Sequence, residues 1–181
     1  MSGKTAVFYF LIPCICFSCC RNTPDNPTDA LKYAKTCFLQ NNPEKALSLL
    51  LSIVEKHPRQ NEAYLWLIRA FLQTGKIHEA EELGEELLRA DPADPRILSL
   101  LGVCREEQGD YQQAISFYRK AIVFKEELAV NHLRLGRLYY QTGNLQSAET
   151  ELNHARCLLG KDTILFTTAE TLVNEIRKTK K

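Results

Sequence analysis

Residues 98–121 read LSLLGVCREEQGDYQQAISFYRKA, and their spacing decides the fold. Moved forward by 34 residues, Gly102, Gly109, Ala114 and Ala121 fall on Gly136, Gly143, Ala148 and Ala155. Moved back by 34, Gly109 and Ala114 fall on Gly75 and Ala80, and a further step takes Ala80 to Ala46 and Pro92 to Pro58. A fixed period of this length is the signature of stacked helix-turn-helix units.

The residues within each period carry a second regularity. Positions 4, 7, 8, 11, 15, 17, 20, 24, 27 and 32 of the third unit are Leu98, Leu101, Gly102, Arg105, Gly109, Tyr111, Ala114, Tyr118, Ala121 and Glu126. The fourth has His132, Leu135, Gly136, Tyr139, Gly143, Leu145, Ala148, Leu152, Ala155 and Gly160. The second has Tyr64, Leu67, Ile68, Phe71, Gly75, Ile77, Ala80, Gly84, Leu87 and Pro92, and the first Ala30, Tyr33, Ala34, Cys37, Asn41, Pro43, Ala46, Leu50, Ile53 and Pro58. This pattern resembles the tetratricopeptide repeat (TPR) family. Arg105 stands where the family has an aromatic, Gly84 where it has a bulky residue, and Glu126 and Gly160 where it has proline. The resemblance implies an all-α fold, a TPR superhelix of four helix-turn-helix repeats at 27–60, 61–94, 95–128 and 129–162, with a C-terminal capping helix at 163–178. A terminal helix covers the open end of such a stack.

Local signals place the helices. Asn42 before Pro43, and Asp94 before Pro95, pair an N-cap with a proline at the first helical position, where a missing N–H costs nothing. Asp110 with Gln113 reads as a capping box, Asn144 as the cap of the last repeat's second helix, and Asp162 as the cap of the terminal helix. The first repeat's helices are expected at 27–40 and 43–56. Glu79, Glu81, Glu82, Glu85 and Glu86 line one helix; a solvated face is the expected reading, an acidic docking face the competing one. Cys37, Cys104 and Cys157 read as small buried hydrophobes, because free cysteine is among the most buried residue types.

Composition narrows the function. With 23 basic and 22 acidic residues the formal charge is +1, so no nucleic-acid or polyanionic partner is expected. No catalytic constellation, cofactor loop or metal motif is found; the glycines belong to the repeat. His132 and His154 fall close together inside the fourth repeat, but two ligands are fewer than a metal site needs. The chain is expected not to be an enzyme and to need no cofactor.

The first residues carry a separate message. Lys4 precedes an apolar run at 5–17 (TAVFYFLIPCICF), and no acidic residue occurs before Asp25. The run is too short to span a bilayer comfortably and Pro13 interrupts it. It ends in Phe17-Ser18-Cys19-Cys20, which resembles a bacterial lipoprotein signal. That resemblance implies a signal peptide at 1–18, acylation of Cys19, and a tether at 19–26; the competing reading is an uncleaved signal anchor. It also implies a cell-envelope location, with Cys20 in place of aspartate favouring the outer over the inner membrane.

The TPR resemblance implies a protein partner, held as a peptide or helix in a concave groove lined by helix A at positions 2, 5, 9, 12 and 13. Those positions are Leu31, Lys35 and Phe38; Leu65, Arg69 and Leu72, with Trp66 beside them; Arg96, Ser99, Val103 and Glu106; and Val130, Leu133, Arg137 and Tyr140. Lys35, Arg69 and Arg137 form a basic row interrupted by Val103, suited to a peptide with hydrophobic and acidic side chains. The competing reading packs these leucines between repeats and leaves the cations solvated. The function expected is a lipid-anchored scaffold in a cell-envelope complex; the alternative is a periplasmic TPR subunit of a solute transporter, binding or passing a small ligand.

Overall fold

A computed structural model describes residues 26–125 and 129–179. The described residues form nine helices and no strands: α1 (Pro27–Leu39), α2 (Pro43–Lys56), α3 (Asn61–Gln73), α4 (Ile77–Ala90), α5 (Pro95–Glu107), α6 (Tyr111–Phe124), α7 (Ala129–Gln141), α8 (Leu145–Leu158) and α9 (Ile164–Thr179). The all-α helix-turn-helix architecture expected from the 34-residue period is observed. The signal peptide, Cys19 and all of the tether except Asn26 lie outside the described residues. Asn26 itself caps α1, its side chain accepting from the Thr28 amide at 3.1 Å.

The turns show why the period holds. Gly75, Gly109 and Gly143 turn the chain between the two helices of the second, third and fourth repeats with φ of 74°, 79° and 81°, a left-handed conformation that glycine adopts without strain. The first repeat uses Asn41 at the same position, with φ 58°; asparagine is the non-glycine residue that tolerates it best. Helix starts follow the caps. Asn42, Asp94, Asp110 and Asn144 each accept an amide hydrogen bond from the first turn, whereas Lys76 before α4 offers no side-chain cap.

Two compact units divide between Ala70 and Phe71, inside α3. In the first, α1 packs on α2. Its core holds Ala34, Ala46, Leu50 and the α3 residues Ala63, Leu67 and Ile68, all fully or almost fully buried. In the second, α4 to α9 pack each on the next, and α9 also reaches α7. Its core has one cluster around Ala114, Tyr118, Leu135 and Leu138 and another around Leu133, Leu152, Val173 and Ile176. Ala80, Ala114 and Ala148 are 0% exposed, as is Ala46 in the first unit.

Two glycines mark the closest approaches. A Cβ on Gly102 would lie 2.6 Å from Tyr118 Cε1, and one on Gly136 would lie 2.6 Å from Leu152 Cγ. The side chain at position 24 therefore occupies the space a side chain at position 8 would need.

Two expectations are corrected, and a third, the solvated acidic face of α4, holds except at Glu81. Thr163, not Asp162, caps α9: its Oγ1 accepts from the Phe166 amide at 3.2 Å, which starts the helix one residue later than expected. Cys157 is exposed while Cys37 and Cys104 are buried. On α8 the buried stripe is Ala148, Leu152 and Ala155, and Cys157 falls two residues past its end, on the opposite face. The acidic face of α4 is solvated at Glu82 and Glu86, but Glu81 is only 13% exposed and pairs with Arg105 of α5, which also lies 3.6 Å from Glu85. Arg105, the departure at the aromatic position, is thus matched by the carboxylates facing it.

Candidate helix-A binding surface

In the first unit α1 and α3 present adjoining faces. Trp66 is half-buried and carries two cations over its ring: Lys35 Nζ lies 5.4 Å from the ring centroid and Arg69 Cζ 4.8 Å. Phe38 meets the indole edge-on, with centroids 5.4 Å apart at 79°. Lys35 also pairs with Glu62 at 2.5 Å. Leu31 and Leu65, at 4% and 8% exposure, lie beneath this surface rather than on it. The face presents aromatic area and cationic charge together, a combination that attracts an acidic, partly apolar ligand.

The second unit answers the same repeat positions differently. Leu72 is half-buried and Arg137 exposed. Arg96 is exposed and folds back on its own cap, Nε and Nη2 donating to Asp94 at 3.0 and 2.7 Å. Burial works against ionising Asp94, but these Arg96 contacts outweigh it and hold the carboxyl below its ordinary value. Leu133 is buried in the cluster that α7, α8 and α9 share, and Tyr140 packs against it, its hydroxyl reaching Glu175 at 3.5 Å. Val103 packs against the Tyr118 cluster, and Val130 is exposed.

Between α5 and α7 lie polar groups that the sequence pattern did not single out. Glu106 accepts from the Tyr118 hydroxyl at 2.7 Å and from Arg134 at 2.9 Å. Burial pushes the Tyr118 phenol well above its ordinary value, Arg134 opposing and Glu106 assisting. Burial of Arg134 favours its neutral form, yet Tyr118 and Glu106 together raise its pKa. Ser99 donates to Asn131 Oδ1 at 2.5 Å, and Asn131 is 1% exposed with its Nδ2 lacking a hydrogen-bond partner among the described residues. Glu106 at position 12 was legible as a surface residue. Arg134 and Asn131 fall outside the positions the family assigns to the groove, so only three-dimensional packing reveals them.

Elsewhere the Cys104 thiol is pushed up to about 12 by burial, with Glu81 adding to the effect. His132 and His154 do come together, with ring centroids 5.4 Å apart, and Glu151 joins them, 2.7 Å from His132 Nδ1. Two depressions are open to solvent. One of about 510 Å³ is lined by Pro27, His57 and Gln60, and one of about 660 Å³ by Asn153, Arg156 and Phe166. No helix among the described residues is long and apolar enough to cross a membrane.

Paired helices at a 34-residue period, small residues at each crossing and helix-A faces carrying the variable chemistry define a repeat scaffold for protein–protein interaction. The chain belongs to the tetratricopeptide repeat family, whose model matches residues 38–104 and 106–156. Members of that family are generally non-enzymatic. Among solved structures it is similar to a thermophilic TPR protein of Thermus thermophilus, at 23% identity and TM-score 0.71, covering 86% of this chain and 83% of that one. It is also similar to the type III secretion chaperone SycD of Yersinia enterocolitica, solved in complex with a peptide of the translocator YopD. There the identity is 26% and the TM-score 0.62, over 66% of this chain and 94% of that one. Comparison with curated proteins found no match.

Proposed function

We propose that the chain is a lipid-anchored TPR scaffold that captures a peptide or helix of a protein partner in a bacterial cell-envelope complex. The observation that carries the capture is the Trp66 face, where Lys35 and Arg69 flank an indole with Phe38 at its edge. Aromatic and arginine side chains are the usual energetic centres of interfaces. The partner segment that fits places an apolar side chain on the indole and a carboxylate beside the cations. The similarity to SycD, which holds a YopD peptide, supports a peptide ligand.

The anchoring half rests on sequence alone: the apolar run at 5–17 and Ser18-Cys19 after it. Acyl chains on Cys19 would tether the repeats at a membrane, more than one chain being needed for stable attachment. The outer membrane is the proposed location.

Both halves are tested in one strain. Partners are captured from crosslinked cells by the wild-type chain, by Trp66→Ala and by Cys19→Ser, with palmitate labelling run in parallel. Trp66→Ala is expected to lose the partner while keeping the label, and Cys19→Ser to lose the label and accumulate uncut precursor. Undiminished capture by Trp66→Ala overturns the site, and palmitate that persists in Cys19→Ser overturns the anchor residue.

A further inference from the structure

The fourth repeat carries a cluster unrelated to the helix-A surface. His132 projects from α7, and Glu151 and His154 project from α8. A spacing of three residues puts Glu151 and His154 on one helical face. One donor atom from each of the three residues lies within 4.8 Å of the others. Glu151 already sits 2.7 Å from His132 Nδ1.

The geometry points to a binding site for a zinc-class divalent transition-metal ion at His132, Glu151 and His154. Two imidazoles and one carboxylate are a donor set that zinc, nickel and copper accept; calcium and magnesium prefer all-oxygen shells. Metal–donor lengths of 2.0–2.1 Å in a tetrahedron place the donors about 3.3 Å apart. The cluster brackets that spacing: one pair is closer, at hydrogen-bond distance, and the widest is within 4.8 Å. Closing the site needs the His132–Glu151 pair to open by a few tenths of an ångström and His154, the exposed member, to draw in.

The helices that carry these groups are held in register. Leu152, next to Glu151, fills the space over Gly136, and both are buried, so the α7–α8 crossing that fixes the donors is rigid. His132 is itself 4% exposed; the site has one buried ligand, one half-buried and one open to solvent. Three protein ligands with the third exposed leave a fourth position for water or for a donor from a partner, the arrangement of an open rather than a closed zinc site. The single negative charge of Glu151 offsets part of the ion's charge. Bound metal would tie α7 to α8, a contact that the unfolded chain cannot make, and so stabilise the folded state by mass action.

The test uses the full-length chain and Co(II) alone, because cysteines at 14, 16, 19 and 20 could bind metal themselves. Thiolate ligands give cobalt a near-ultraviolet charge-transfer band; nitrogen and oxygen donors give only visible d–d absorption. One equivalent per chain is expected with the visible bands of a nitrogen–oxygen site. His154→Ala alters an exposed residue and should keep the helical signal; it should weaken that site at least tenfold, since even outer-shell partners of metal ligands are worth 10–100-fold. Glu151→Gln should weaken it similarly, and the rise in melting temperature with Co(II) should vanish in both variants. Equal cobalt affinity in wild type and His154→Ala, or a spectrum showing thiolate binding only, overturns the site.

Discussion

At position nine of helix A the first unit has Lys35 and Arg69, both lying over Trp66, while the second has Val103, packed toward Tyr118, and Arg137, exposed. At position twelve the first unit has Phe38, edge-on to the same indole. The second has Glu106, occupied by Tyr118 and Arg134, and Tyr140, packed against the cluster that α9 completes. One surface keeps its chemistry outward. The other spends most of its polar groups on holding consecutive repeats together. Equivalent repeat positions therefore do not imply equivalent roles: cations gathered over a half-buried ring set charge beside aromatic surface, whereas a cation on a buried carboxylate is part of the stack.

The largest effect expected tests the packed side of this contrast. Tyr118→Ala removes a fully buried ring and a hydroxyl bound to Glu106, and should cost about 3–5 kcal/mol. Gly102→Ala should cost roughly 1–3 kcal/mol, because its Cβ would meet the Tyr118 ring. In the double variant the clash has no partner, so its cost should be less than the sum of the two single costs. Chemical denaturation of all three proteins measures this. Strict additivity would mean that the position 8 and position 24 side chains do not compete for one space.

Trp66→Ala tests the outward side. It removes two cation–π contacts and one aromatic edge contact, and should lower stability by about 1–2 kcal/mol at 0.5–1 kcal/mol for each exposed cation–π pair. Partner capture should fall far more than stability does. A loss of stability as large as that of Tyr118→Ala would place Trp66 in the core and erase the distinction between the two faces.

Much of this fold was legible because the repeat constrains it at positions where one residue type fits. Left-handed turns demand glycine or asparagine, crossings demand alanine, and caps demand a short oxygen-bearing side chain; Gly75, Asn41, Ala46 and Asn42 could be read at once. The end of the array was less legible, since Asp162 and Thr163 are both competent caps and only the helix start chooses between them. The helix-A surface was half legible. Family positions located Lys35 and Arg69, with Trp66 beside them, but Leu31, Leu65 and Leu133 share those positions and are buried. The Glu106–Arg134–Tyr118 group and the carboxylate between His132 and His154 join residues 28 or fewer apart whose spacing follows no single helix, so no one-dimensional pattern announces them.

A smaller effect concerns Asp94, whose carboxyl is held below its ordinary value of 3.8 by Arg96 against the cost of burial. A depressed carboxyl contributes stability that is fully present above its unfolded pKa and is lost as pH falls through the lower folded one. Asp94→Asn keeps the cap but loses the charge, and Asp94→Ala loses both, at about 1 kcal/mol. The gap between wild type and Asp94→Asn should close as the pH is lowered below 3.8. A gap independent of pH across that window would show that the Arg96 pairing adds nothing to the cap.

The smallest expected change in stability is also the sharpest test of how far the capturing surface extends. Arg137 occupies the same repeat position as Arg69 but is exposed, its neighbour Tyr140 being packed toward α9. Arg137→Glu should therefore leave the melt within about 0.5 kcal/mol, as for an ordinary surface substitution. Arg69→Glu gives up its place over Trp66 and should cost slightly more, up to about 1 kcal/mol. If the ligand's acidic side chains follow the basic row, reversing either charge weakens capture and reversing both abolishes it, with the effect shrinking as salt is raised because exposed charges are screened beyond about 8–10 Å. Capture that survives Arg137→Glu unchanged but fails with Arg69→Glu would confine recognition to the Trp66 face. Capture that survives both reversals would move the binding site off helix A altogether.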